Sequence, residues 1–392
     1  MRRSELSRLR VLGDRSRGRA AHALAFGLLM SLAACGDGSG GDDESSPEDL
    51  TIELRPATIS GQPLEAPDKA WTYIEFPDTK CRDGSPAGIV LSKNSASSKL
   101  MIFLEGGGGC FDALTCAANP TNTAAFKAEK TSGVFDRTNP ANPVADWNIV
   151  YVPYCTGDIH GGTRSDVVID GVQGVQQFVG YLNIKKFMQR VVPTFPGVTD
   201  VLLTGISAGG FGAALNAISI AEVFPTVKIK VIDDSGPGMS TAVVPKCLQR
   251  KWRETWGFDQ SVLNDCGAAC PDKDDFMQSY ALAMTRTFQD RPSGLIESTR
   301  DSVITAFFGA GLNECTGTAL LNSVPGDVFE ADLLAFRDKN KEFANFGTYL
   351  PGGGKHTWLS DNMFYNARAG GVNLVDWFAK IVNGQAPGNA GP

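Results

Sequence analysis

The sequence predicts an α/β fold: a mostly parallel sheet with helices on both faces and a small insertion, containing Cys and Trp, lying over it as a cap. Three observations point there. Short runs of Val, Ile and Leu recur along the chain, segments with three-to-four-residue apolar spacing lie between them, and one run ends in a Gly-x-Ser-x-Gly turn that opens a stretch of small residues. Strands that alternate with helices form a parallel sheet, because each helix carries the chain back to the same end. With 392 residues, 42% hydrophobic and 20% charged, the chain has the composition of a globular protein with a sizeable core.

The first 34 residues stand outside that fold. Seven Arg precede an apolar run over residues 20–32. That run is too short to span a bilayer as a helix but suits the core of a signal peptide. It ends in Leu32, Ala33, Ala34 and Cys35, which resembles the lipobox of bacterial lipoproteins. The resemblance implies cleavage before Cys35 and lipidation of that residue; an ordinary signal peptide with a chance cysteine is the plainer alternative. Residues 36–49 are Gly, Ser, Asp and Glu interrupted only by Pro47, so they have nothing large to bury. A flexible acidic linker is expected over 35–66 and a catalytic domain over 67–392. The expected location is outside the cytoplasm, on a membrane, facing the periplasm or the cell exterior.

Without residues 1–34 the chain keeps 29 basic and 41 acidic residues, a net charge of −12. Such a surface repels phosphate backbones, and nucleic acid is not an expected partner. Eight cysteines remain besides Cys35, an even number that predicts up to four disulfides in an oxidising compartment. The spacing of Cys110 and Cys116 makes that pair the one to expect first. A zinc site is not expected, because neither of the two mature histidines lies near a cysteine pair in sequence.

Buried strands are expected at residues 100–104, 149–152, 201–203, 227–232 and 294–296. Helices are expected over 172–192, 211–224 and 372–382. Residues 246–289 break the alternation with three Cys and two Trp and read as the cap.

The chemistry centres on Gly205-x-Ser207-x-Gly209. A strand that turns this sharply into a helix strains its apex and leaves no space for large neighbours, hence the glycines. The serine hydroxyl then projects above the sheet at the positive end of a helix. A loop or helix-capping serine is the competing reading. A serine nucleophile needs an adjacent base, usually His. His22 leaves with the leader, so His160 and His356 remain. His356 follows the apolar stretch 346–350 in a Gly-rich loop, C-terminal to Ser207, as the order Ser, acid, His requires. The acid should lie after a strand between them. Asp233 and Asp234 follow the first strand beyond the nucleophile and Asp301 the second. Counting strands pairs Asp301 with His356, although an Asp there also reads as a helix N-cap.

Residues 100–104 run into Gly106, Gly107, Gly108 and Gly109, whose backbone N–H groups would approach a developing oxyanion closely. A phosphate loop would need Gly-x-Gly-x-x-Gly opening a helix, and Cys110 and Phe111 interrupt that pattern.

Taken with the pieces around Cys81 to Pro86, Tyr154 to Asp158 and Glu297 to Asp301, these motifs resemble the pectin acetylesterase family. The pieces run in family order from Cys81 to His356, most of the mature chain. The resemblance implies an α/β-hydrolase-type fold and hydrolysis of carboxylic esters by Ser207, Asp301 and His356. It maps the oxyanion donors onto the N–H groups of Gly107, Gly108 and Ala208. Two departures bear on the substrate. Gly109 stands where relatives usually carry Trp, which removes an aromatic wall, and His356 sits in a Lys-His-Thr-Trp stretch rather than beside a Cys.

The expected reaction is hydrolysis of a short acyl ester, acetyl in the simplest case, on a polysaccharide or other polar alcohol, without metal or organic cofactor. Loops near the site are dense in Gly, Asp, Asn and Thr, although Trp252, Trp256 and Phe258 of the cap offer a wall for longer chains. A polyester depolymerase, a lipase-like esterase, a peptidase with the same triad and a non-catalytic binding lipoprotein are the alternatives. His160, on the loop after a sheet strand, is the candidate for substrate contact.

Overall fold

The computed structural model describes residues 50–316 and 322–392. The leader and Cys35 lie outside the described residues.

The chain enters the sheet through β1 (Trp71–Phe76), β2 (Ala87–Ser92), β3 (Lys99–Leu104) and β4 (Asn148–Val152). A separate ribbon of β5 (Arg164–Val167) and β6 (Gln176–Phe178) intervenes, and the sheet resumes with β7 (Asp200–Ile206), β8 (Lys230–Asp234), β9 (Ser293–Ile296) and β10 (Phe346–Tyr349). The order is β1-β2-β4-β3-β7-β8-β9-β10. β1 with β2 and β2 with β4 are antiparallel, and all later neighbours are parallel. A last ribbon joins β11 (Arg368–Ala369) to β12 (Val372–Asn373).

Period two along a strand places alternate side chains on opposite faces. Leu100, Ile102 and Leu104 of β3 and Val201 and Leu203 of β7 enter one core. Met101, Phe103 and Leu202 enter the other. Both faces are therefore buried, which is why these strands read as unbroken apolar runs rather than as alternating patterns.

The helices are α1 (Ala113–Ala117), α2 (Gly180–Thr194), α3 (Ala208–Leu215), α4 (Ala217–Val223), α5 (Lys246–Trp256), α6 (Val262–Cys266), α7 (Met277–Thr287), α8 (Ser302–Gly309), α9 (Gly326–Lys339) and α10 (Leu374–Val382). Two differ from expectation. The helix expected from residue 172 starts at Gly180, because Gly171 and Gly174 take positive φ and turn the chain into the β5–β6 ribbon. The helix expected over 211–224 starts at Ala208 and is interrupted at Asn216, whose side-chain amide donates to the carbonyls of Gly212 and His160. The cap over 246–289 is α5 to α7 with short turns between them. No helix among the described residues is long and apolar enough to cross a membrane.

Residues 50–66, expected as part of a flexible linker, do not hang free. From residue 50 the chain lies against the body: Ile52 and Leu64 are buried. Their N–H groups donate to Thr287 Oγ1 and Thr194 Oγ1, both at 2.7 Å. Isolated apolar residues in an otherwise polar stretch were enough to dock it.

All eight cysteines after Cys35 are paired, as Cys81–Cys155, Cys110–Cys116, Cys247–Cys315 and Cys266–Cys270. The first two flank the glycine loop after β3.

Candidate active site

β7 delivers Ser207 to the C-terminal edge of the sheet with φ 56° and ψ −121°, a conformation costly for a residue with a Cβ. The strain is imposed by close packing on either side. A Cβ on Gly205 would lie 2.2 Å from the Gly209 carbonyl oxygen, and one on Gly209 would lie 1.9 Å from that of Leu104. Only hydrogen fits at either position, so β3, β7 and α3 press together and Ser207 takes up the turn. Its N–H donates to Asp234 O at 2.7 Å, and its side chain stays partly exposed among buried neighbours. The N–H groups of Ala208 and Gly209 follow as first-turn donors of α3.

The glycine loop lies beside it. A Cβ on Gly106 would come within 3.0 Å of Ser207 Cβ. Gly107 and Gly108 have φ of 154° and 76°. Asn119 Nδ2 donates to Gly107 O at 2.7 Å and the Tyr154 hydroxyl to Gly108 O at 2.8 Å. In a planar trans peptide the N–H opposes the C=O, so pinning Gly107 O fixes the direction of the Gly108 N–H. Arg82 supports the segment beneath, donating to the carbonyls of Cys116 at 2.9 Å and Asn119 at 2.7 Å.

His356 arrives from the loop after β10, and its Nδ1 stands 2.7 Å from Asp301 Oδ2. The proton therefore sits on Nδ1, and Nε2 is left as the free acceptor. Backbone bonds continue the pairing of β9 with β10 past the strand ends. Thr299, Arg300 and Ser302 N–H donate to the carbonyls of Pro351, Gly353 and Gly354. Both loops are thus zipped together up to Asp301 and His356.

The two oxygens of Asp301 have different partners. Oδ1 caps α8 by accepting from Val303 N at 2.8 Å and Ile304 N at 2.9 Å, while Oδ2 faces His356. Asp234, the rival acid, does something else. Its Oδ2 accepts from Trp358 N and Leu359 N, both at 2.7 Å, and so fastens the loop just beyond His356. Burial pushes its carboxyl up to about 6, against the opposing pull of those two N–H groups. Asp233 turns under α3, where a Cβ on Gly210 would meet its Oδ1 at 2.4 Å, and burial together with the charge of Asp234 drives it well above the ordinary range.

His160 does not offer itself to a substrate. Its exposure is 2%, and burial lowers its proton affinity to about 4, so it is neutral. Its Nε2–H donates to Glu105 O at 2.8 Å, and its ring packs against Tyr154 and under Gly212 of α3. The residue braces the floor between the glycine loop and α3. Its place on a loop after a strand at the sheet's ligand edge suggested contact; its depth beneath that edge was not legible.

The aromatic wall expected to be absent at Gly109 is supplied from the cap. A Cβ on Gly109 would lie 3.1 Å from the Trp256 ring and 3.2 Å from Phe307 Cε2. Trp256 Nε1 donates to Cys110 O at 2.8 Å, which fixes the indole there. Trp252, Trp256 and Phe258 are fully buried and pack on one another and on their neighbours. They form packed core, where the sequence allowed an open apolar lining. Asn119 and Phe307 were not singled out from the sequence, and Tyr154 entered only as the start of one motif piece. A run of four glycines does signal that something outside it must hold the loop.

Comparison with known proteins identifies the family and the fold. Residues 68–283 match the pectinacetylesterase family. Palmitoleoyl-protein carboxylesterase NOTUM of Mus musculus is 30% identical over 174 residues, 40% of this chain and 33% of that protein. The Drosophila melanogaster NOTUM is 29% identical over 174 residues, 40% and 26% of the two chains. The matched region thus spans about a third of the length of these curated relatives or less. The crystal structure of the Wnt deacylase Notum from Drosophila superposes with a TM-score of 0.61 and 21% identity, covering 81% of this chain and 95% of that one. The fold is of the α/β-hydrolase type.

Proposed function

Because this chain belongs to the pectinacetylesterase family, we propose that it is a serine carboxylic ester hydrolase acting through Ser207, His356 and Asp301. The observation that carries the reading is the 2.7 Å contact of His356 Nδ1 with Asp301 Oδ2, at the same sheet edge as the strained Ser207. His356 Nε2 takes the Ser207 proton as Oγ attacks the ester carbonyl, and the N–H groups of Gly107, Gly108 and Ala208 receive the oxyanion. The C–O bond then breaks, and the alcohol leaves with the proton from His356. Water, activated by the same imidazole, attacks the acyl-enzyme and releases the acid and Ser207.

The substrate we propose is a short acyl ester on a polysaccharide or other polar alcohol. The names of the NOTUM relatives describe cleavage of palmitoleoyl-protein esters, and a long-chain lining would gain roughly 0.8 kcal/mol per buried methylene. Here the aromatic side chains available for such a lining are closed on one another. A serine-reactive fluorophosphonate and p-nitrophenyl esters from acetate to palmitate test both statements. Labelling should be lost in Ser207→Ala and His356→Ala, with kcat falling by about four to six orders of magnitude. Efficiency that climbs steadily to octanoate and beyond would remove the short-acyl assignment.

Anchorage by a lipid on Cys35 completes the proposal; it rests on the lipobox and the acidic spacer behind it. Cys35→Ala should move the protein from the membrane to the soluble fraction.

A further inference from the structure

We infer that Phe307, backed by Trp252 and Trp256, closes the acyl side of the site and is the residue that sets acyl length; this rests on the esterase reading above. Phe307 lies on α8, the helix whose N-cap is Asp301, so one short helix delivers both the acid and this ring. Its neighbours belong to the catalytic parts. The ring is 5.9 Å from that of Phe111, just past the glycine loop, and 6.3 Å from that of Phe211, one turn along α3 from Ser207. Its edge comes closest to Gly109, 3.2 Å from where a Cβ would be.

Phe307 is also the outermost ring of its stack. It lies nearly parallel to Trp252 at 5.1 Å, and Trp252 in turn to Trp256 at 5.7 Å. Both tryptophans are fully buried, whereas Phe307 is partly exposed. An acyl group whose carbonyl oxygen points at the glycine loop extends from the carbonyl carbon beside that loop. On this inference Phe307 is the surface that such a chain meets, with Trp252 stacked 5.1 Å behind it, and it leaves room for a short acyl group only.

The missing side chain at Gly109 then acquires a reason. A ring at that position would occupy the space that Trp256 and Phe307 already hold, so the wall is built from the cap and from α8. Trp256 cannot swing away cheaply, because its Nε1 donates to Cys110 O. Phe307 is an apolar side chain with no such bond, so it is the member to change.

The test is Phe307→Ala and Phe307→Leu, assayed with p-nitrophenyl acetate, butyrate, hexanoate and octanoate and with a fixed acetyl group on alcohols of increasing size. Removing the ring should raise the kcat/KM ratio of butyrate or hexanoate to acetate by about fourfold per accommodated methylene, for the first two or three methylenes. Phe307→Leu should give a smaller gain in the same direction, and it carries the test if the alanine variant does not fold. Unchanged acyl ratios in a variant that still reacts with the fluorophosphonate would overturn the inference, and so would a shift confined to the alcohol series. Failure of the parent protein to react with that probe would instead remove the esterase reading beneath it.

Discussion

The Ser207 half and the His356 half of the site are held by opposite means. Around Ser207 the chain is fixed by atoms that are missing: Gly205, Gly209 and Gly106 let three backbones approach until one Cβ would collide. Around His356 it is fixed by atoms that are present. Asp301 and Asp234 spend their oxygens on backbone and imidazole N–H groups, and the β9 and β10 loops are stitched together beyond the strands. The first half should therefore break when an atom is added and the second when one is removed or exchanged. The Gly205-x-Ser207-x-Gly209 turn is written in contiguous sequence, whereas the second half joins residues 55 positions apart.

The largest expected effect is on the second half, where Asp301→Asn separates two roles of one side chain. Asn serves as an N-cap as well as Asp does, so α8 should survive and Tm should stay near that of the parent. Its amide N–H would then face His356 Nδ1 and favour the other tautomer, which leaves Nε2 unable to accept the serine proton. A fall in kcat of about four orders of magnitude is expected. Asp301→Ala should lose the same activity and in addition about 1 kcal/mol of stability. Equal Tm values for the two variants would show that the cap contributes nothing.

Gly209→Ala is the matching break in the first half. The added carbon meets the Leu104 carbonyl at 1.9 Å, and backbone atoms on both sides must move. A loss of about 4 kcal/mol or more is expected, read as a lower urea midpoint or failure to recover folded protein. An alanine variant with the parent's midpoint would mean that β3 and α3 are not locked as described.

Asn119→Ala probes the point where the two modes meet, since a loop free of side chains is steered by one amide. Without the bond to Gly107 O the Gly108 N–H loses its fixed direction. We expect kcat to fall by about 10- to 100-fold with KM little changed, because misplacement by an ångström costs on that order. A change confined to KM would assign Asn119 to binding.

The same contrast explains what could be read without coordinates. Strands buried on both faces announced themselves at residues 100–104, 149–152 and 201–203, and the glycines around Ser207 declared the turn. β1 and β2 did not, because β1 is only half-buried and neither carries a motif. Strand counting put Asp301 beside His356, yet nothing local distinguished it from Asp234. That choice depends on which loop the zip beyond β9 carries forward. The docking of residues 50–66 and the wall at Gly109 also depend on partners far away in sequence, Thr287 and Thr194 for the one and Trp256 and Phe307 for the other.

The smallest effect concerns the buried carboxyls beneath the site. Asp158 and Asp234 are pushed up to about 6, chiefly by burial. Glu297 is fully buried beside Asp301, and burial followed by the charge of Asp301 drives its carboxyl well above the ordinary range. A carboxyl raised in this way holds its proton in the folded chain at a pH where the unfolded chain has released it. Its contribution to stability is thus complete below the unfolded value and is lost as pH rises through the folded one. For Asp158 and Asp234 that window runs from about 4 to about 6, and for Glu297 it begins at its ordinary value and extends further up. Stability should therefore decline as pH rises from 4, where exposed ion pairs alone would favour a rise. Glu297→Gln replaces the acid with a neutral group of nearly the same shape and removes the upper part of that decline. Its Tm should match the parent's at pH 4 and exceed it by a few degrees at pH 8. A difference that shrinks with rising pH would mean that Glu297 is ionised in the folded chain and stabilised there.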